Sequence, residues 1–286
     1  MDSWWCQRRS PSCRPAARSR YGCLTGRREY SDQKQGSRLM ADSLPIVVIA
    51  CNVFEDTLKD ILPPDMPAKV EFFDMALHVT PRKMQQTLQE AIDAVETPSL
   101  IVLAYGLCGN GLNGIRAGRH ILLIPRVDDC VALMLGSRQA YLEQFRAEPG
   151  TYYLGRGWLE ADVTRLTASG VTDARYGADP LTTYKTYVEQ YGPDTAAWLM
   201  DQLYQHYRRL VFVAHSQAEL DKYRPRVQEI ARFCERWGMR YEEILGSDRY
   251  VRRLIEVAAA LDQAPLGDEF LVIPPGGVIQ QEQFQS

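Results

Sequence analysis

SLIVLAYGLCGNG, residues 99–111, decides the fold. Its apolar centre, Leu100 to Ala104, is far shorter than the roughly 20 residues needed to span a bilayer. It lacks the alternation of a half-exposed strand, and Gly106 breaks it at once. Short continuous apolar runs closed by turn residues suit strands buried on both faces, the condition met in parallel sheets.

Working outward, 45–51 (PIVVIAC) and 120–125 (HILLIP) have the same character, and 69–73 is a further strand candidate. Between them, Val53, Phe54, Leu58 and Ile61 fall at helical spacing, stopped by Pro63 and Pro64. Thr80 and Pro81 form an N-cap and first-turn pair that opens a second helix through Met84, Leu88, Ile92 and Val95. Downstream, 210–214 (LVFVA), 241–245 and 269–273 predict strands, 218–237 predicts a long amphipathic helix, and Ser247 caps a helix reaching Leu261. This alternation predicts an α/β protein: two Rossmann-like lobes with mostly parallel sheets and a helical connection. Residues 40–136 make the first lobe and 209–286 the second. Residues 137–208 connect them as helices, with an irregular Gly-rich passage at 150–157. A single larger sheet is the alternative.

The chain has 286 residues, 45% hydrophobic and 24% charged, with net charge -3. This is a globular composition with no membrane span and no overall pull toward nucleic acid. Residues 1–39 differ, with nine Lys or Arg against three acids, a net +6 that leaves -9 for residues 40–286. That segment is expected to be a disordered basic tail. It reads as upstream sequence before a true start at Met40, with a transit peptide or a basic nucleic-acid arm as alternatives. Cys51, Cys108, Cys130 and Cys234 in the body, without an export signal, indicate a reducing cytoplasm.

In a parallel sheet every strand's carboxyl end points to one edge, where ligands bind. The first strand ends at Cys51. The second is followed by His78, the third by Gly106-Leu107-Cys108-Gly109, and the fourth by Asp128-Asp129-Cys130. This predicts a metal set of Cys51, Cys108, Cys130 and His78, suited to zinc or, through the cysteines, an iron–sulfur cluster. No local CxxC pair is present, so such ligands meet only through the fold. Each cysteine is otherwise a small buried hydrophobe, and Cys234, on the apolar face of its helix, is assigned to the core. Cys108 is the better lone nucleophile, because Asp128 and Asp129 oppose a thiolate at Cys130. Asp129 is expected as a hydrogen-bond partner or proton carrier, or as a helix cap.

Residues 109–114 match GxGxxG, but the next strand arrives with no crossover helix between, which removes the dinucleotide reading. Gly106, Gly109 and Gly111 are expected to let backbone approach a ligand around Cys108, or to make tight turns. Ser247 opens a helix whose first N–H groups suit an anion, against its plain role as N-cap. His215 follows its strand as His78 does, and is read as facing the cleft between lobes or as an ordinary surface or core histidine. Tyr152, Tyr153 and Trp158 are read as a lid or as core.

The pieces Ile49-Ala50-Cys51, Leu77-His78 with Pro81, Tyr105 to Gly111, Ile124-Pro125-Arg126 leading to Asp129-Cys130, Leu135-Gly136-Ser137 and Gly150 to Leu154 with Gly157-Trp158 can be taken together. They resemble a bacterial and archaeal family catalogued as domain of unknown function 1638. The resemblance covers most of residues 44–275. Many relatives carry a histidine before the Asp-Cys pair, where this chain has Asp128. The resemblance implies no settled activity; it suggests a link to corrinoid-dependent methyl transfer, and so a corrinoid-protein partner.

The expectation is a cytoplasmic metal-thiolate protein or enzyme handling a small metabolite or a cofactor-borne group such as methyl or sulfur. One alternative is a non-catalytic protein holding a small anionic ligand between the lobes with residues 109–114 and Ser247. The other is a metal-free thiol enzyme using Cys108.

Overall fold

Buried aliphatics at 46–51 and 100–104 form the centre of a five-stranded sheet in the computed structural model. The model describes residues 44–284 apart from 65, 67, 161–178, 262, 264 and 265. The expectations for residues 1–39, and part of those for 137–208, lie outside the described residues.

In chain order, β1 (Ile46–Cys51) leads through a 3-10 turn to α1 (Glu55–Ile61), β2 (Ala68–Phe73), α2 (Pro81–Asp93), β3 (Leu100–Ala104) and β4 (Ile121–Pro125). Next come α3 (Val131–Leu135), α4 (Arg138–Ala147), β5 (Thr151–Leu154), α5 (Arg156–Leu159), α6 (Pro180–Tyr191) and α7 (Pro193–Tyr204). The chain continues with β6 (Arg209–Ala214), α8 (Gln217–Cys234), β7 (Arg240–Leu245), α9 (Arg249–Ala259) and β8 (Phe270–Ile273). This is a mixed α/β fold with parallel-rich sheets. Among the described residues, no helix is long and apolar enough to cross a membrane.

The first sheet has the order β2-β1-β3-β4-β8, with every pair parallel except β4 with β8. From β1 the chain steps outward to β2, then returns to β3 on β1's other side. Loops leaving the carboxyl ends of β1 and β3 therefore diverge at a switch point, the position at which parallel α/β sheets commonly bind ligands. The second sheet is β5-β6-β7, all parallel.

Two differences from the sequence reading concern lobe boundaries. The passage at 150–157 contains β5, a strand of only four residues between glycines, too short for a period to show. It pairs with β6 and so belongs to the second sheet. The strand expected to end the second lobe, β8, instead runs antiparallel to β4. The cause is α9, whose apolar face (Tyr250, Val251, Leu254, Ile255) packs on β3, β4, α1 and α3 and carries the chain back to the first sheet.

β6 joins the two cores. Its side chains alternate across the sheet, and Val211 and Val213 enter the first core while Leu210, Phe212 and Ala214 enter the second. Cys234 is fully buried in the second core, in the role expected of it.

Candidate functional site

The β3–β4 ladder continues beyond both strands. Leu107 N–H donates to the Val127 carbonyl and Cys108 N–H to the Asp128 carbonyl, each at 2.9 Å. Between them the chains press together at Gly106, where a Cβ would lie 2.6 Å from the Asp129 backbone. Cys108, Gly109 and Asn110 then turn left-handed, with φ of 46°, 62° and 72°. For a side-chain-bearing residue this region costs roughly 1–2 kcal/mol. The surroundings hold it: Gly111 N–H closes the turn on the Cys108 carbonyl at 3.1 Å, and Gly114 and Ile115 pair with the backbone of Ile279. A strained non-glycine position kept in place by its neighbours is a common mark of a functional residue.

This backbone brings the three cysteines together. Cys130 shares a side-chain hydrogen bond with Cys108, and Cys51 is close enough for its charge to act on Cys130. The bond to Cys108, reinforced by burial, pushes the Cys130 thiol well up. Burial raises Cys51 strongly. Val53 N–H opposes this as a hydrogen-bond donor, while the charges of Cys108 and Asp74 add to it. These two thiols are thus protonated at neutral pH. Tyr105 stands against the same group. It follows Ala104, whose register partner is Ala50, and so lies beside Cys51. The phenol is 3% exposed, and the charges acting on it are Cys51, Cys108, Cys130 and Asp74.

His78 does not join the thiols. It ends a 3-10 turn after β2, at the expected edge, but its side chain is exposed, and Nδ1 is hydrogen-bonded to the Met75 carbonyl. The charged neighbour acting on it is Asp74. Among the described residues, no group of three or more His, Cys, Asp and Glu is arranged to hold a metal ion. The predicted four-ligand set is therefore not assembled as a coordination sphere: Cys108 and Cys130 are hydrogen-bonded to each other, Cys51 to the Val53 N–H, and the imidazole is turned to a carbonyl.

The remaining predicted residues are accounted for individually. Asp129 accepts from Val131 N–H at 2.8 Å, capping α3, and from the Tyr141 hydroxyl. Burial lifts its carboxyl above the usual range, and its charge bears on Cys130. Gly111 packs on Met84, and Gly109 is an exposed turn residue. Ser247 N–H donates to the Met134 carbonyl at 3.0 Å, and its Oγ accepts from Arg249 N–H at 3.1 Å. It thus lies one residue before the N-cap, Asp248, where it bonds the first N–H of α9 and ties α9 to α3. Tyr152 packs edge-on against Tyr204 and Tyr207 as core.

A cleft of about 390 Å³ opens just past Cys51, lined from Val53 and Phe54 onward and by residues following β5, β6 and β7. The carboxyl ends of β1 and of the whole second sheet therefore face it. His215 lines it, with Nε2 3.1 Å from the Met134 carbonyl. Asp56, Asp60, Glu219 and Asp248 stand against Arg156 and Lys222, a lining that does not favour an anion. The start of α8 is likewise closed, since Ser216 Oγ accepts from Glu219 N–H and Glu219 accepts from His215 N–H. Neither Tyr105 nor this charged lining was singled out from sequence. The signals available for Tyr105 were its place directly after an apolar run and its position at the start of the Tyr105 to Gly111 piece.

Fold and site define a parallel-rich α/β protein with a buried thiol cluster at its first switch point and a polar cleft alongside. The chain belongs to the family described as protein of unknown function (DUF1638), which matches residues 72–255. His78, Cys108, Asp129 and Cys130 fall inside that match, and Cys51 precedes it. No curated protein and no solved structure matches the chain.

Proposed function

We propose that this chain is a thiol-centred α/β protein that takes one soft metal ion of the zinc class at Cys51, Cys108 and Cys130 and handles a small molecule in the adjoining cleft. The observation that carries this reading is the convergence of three thiols from the ends of β1, β3 and β4. Their donor chemistry fits zinc. Burial holds Cys51 protonated, and the hydrogen bond to Cys108 together with burial holds Cys130 protonated, so a cation would have to displace those protons to bind. The same fields weigh against a metal-free nucleophile at Cys130. As they stand, Cys108 and Cys130 are hydrogen-bonded to each other and Cys51 to the Val53 N–H, so loading requires the thiols to lose protons and turn toward a common point. A bound ion would supply thiolate character and a Lewis-acid centre beside the cleft. Tyr141 and the Val131 N–H hold the Asp129 carboxylate, whose charge acts on Cys130, and in this reading it takes the proton that Cys130 gives up on binding the ion.

The test is metal analysis and Zn(II) titration of the full chain purified without oxygen. One equivalent should bind and protect Cys130 from alkylation, and Cys51→Ala, Cys108→Ala or Cys130→Ala should weaken binding, whereas Cys234→Ala should not. Wild-type protein that neither retains metal nor gains protection from added Zn(II) overturns the reading.

A further inference from the structure

Cys108 and Cys130 are free thiols joined side chain to side chain by a hydrogen bond. A buried cysteine with only a structural role packs among apolar side chains, as Cys234 does in the second core. Here one sulfur is aimed at another, and backbone holds both. Cys108 N–H donates to the Asp128 carbonyl at 2.9 Å, and the Cys108 carbonyl accepts from Gly111 N–H at 3.1 Å. The Cys130 carbonyl accepts from Leu133 N–H at 3.1 Å and Met134 N–H at 3.2 Å, which fixes Cys130 at the start of α3. Cys51, the third thiol of the group, is bonded to the Val53 N–H instead. Sulfurs in hydrogen-bonding contact need only side-chain rotation to reach the disulfide length of about 2.05 Å. Cys108 is 9% exposed and Cys130 is half-buried, an access that suits a small oxidant.

We propose that Cys108 and Cys130 are a redox pair, which a small hydroperoxide such as hydrogen peroxide converts into an intramolecular disulfide. Cys108 accepts the hydrogen bond from Cys130 and is the attacking sulfur. It takes one peroxide oxygen as the O–O bond breaks, and its proton leaves with the other oxygen as water, which makes a sulfenic acid on Cys108. The Cys130 sulfur then attacks the Cys108 sulfur. The S–S bond forms, the S–O bond breaks, and the hydroxyl departs as a second water with the Cys130 proton. The sulfurs are oxidised and the peroxide is reduced. This goes beyond the metal reading and does not need it, although the disulfide and a bound ion would exclude each other by using the same sulfurs.

The experiment treats the folded full chain, stripped of metal with a chelator, with hydrogen peroxide and maps its peptides by mass spectrometry. Wild type should give a Cys108–Cys130 cross-link that dithiothreitol reverses, with Cys234 unmodified. Cys51→Ala should give the same cross-link. Cys130→Ala should lose it and stop at a sulfenic acid on Cys108, captured by dimedone. A cross-link that joins Cys51 to either sulfur overturns the proposal. So does a wild-type Cys108 that proceeds to sulfinic acid with no cross-link, a pair of thiols that stays unmodified, or a cross-link that forms only in urea. Because the assay contains no metal, its outcome is independent of the Zn(II) titration.

Discussion

Cys108 N–H donates to the Asp128 carbonyl at 2.9 Å, and this one bond carries the β3–β4 ladder far enough to set the Cys108 thiol against Cys130. The two sulfurs come from segments 22 residues apart in sequence, and a backbone pairing brings them together. Perturbing that pairing should disturb the thiols before it disturbs the fold.

Gly106→Ala tests this directly. A methyl there meets the Asp129 backbone at 2.6 Å, and backbone cannot move aside as a flexible side chain can. The expected cost is about 3 kcal/mol, at the upper end for overpacking. Gly118→Ala, with open space around it but φ of +57°, should cost only about 1 kcal/mol. Urea denaturation gives both numbers, and equal losses would show that Gly106 is not a contact point.

Cys108→Gly and Cys108→Ala separate stability from function. Both remove the thiol, but only glycine relieves the left-handed strain at φ +46°. The glycine variant should be more stable than the alanine variant by about 1 kcal/mol, while both lose metal. Thermal denaturation and metal analysis of the pair check this, and an alanine variant as stable as glycine would mean the turn relaxes without strain.

Thiol burial sets an alkaline limit. In the unfolded chain a cysteine ionises near about pH 8.5. Burial keeps Cys51 protonated well above that in the fold. Because the folded value is the higher one, its contribution to stability is intact below the unfolded value and declines as pH rises past it. Between roughly pH 7.5 and 9.5 the metal-free wild type should lose about 1 kcal/mol more than Cys51→Ala, at up to 1.4 kcal/mol per unit. Urea titrations at both pH values provide the comparison, and parallel declines would refute it.

His215→Ala should loosen the join between the sheets. Its Nε2 reaches the Met134 carbonyl at 3.1 Å, which Ser247 N–H also meets at 3.0 Å. Loss of one of two donors should cost about 1 kcal/mol and speed amide exchange in α3 and at Gly246 more than in β1 or β3. Uniform exchange across both sheets would sink this reading.

Legibility in the sequence followed the range of the forces involved. The strands at 46–51, 100–104 and 121–125 were readable because parallel strands buried on both faces must be apolar throughout. The placement of Cys51, Cys108 and Cys130 at one edge followed from that. LVFVA was readable as a strand for the same reason, but its two faces serve two different cores, which no local pattern reveals. β5 was missed because four residues carry too little periodicity. β8 was put in the wrong sheet because strand pairing depends on where α9 packs.

By itself, then, the sequence determined the α/β class and the delivery of three sulfurs to one edge, since both follow from burial demands that neighbouring residues state together. Tertiary structure alone decided which groups touch. It turned His78 to a carbonyl, drew Cys108 to Cys130, left the Tyr105 hydroxyl without a hydrogen-bond partner among the described residues and opened the cleft beside Cys51. Those outcomes depend on distances of a few ångströms between segments remote in the chain, set by how helices and sheets pack and not by the spacing of residues along it.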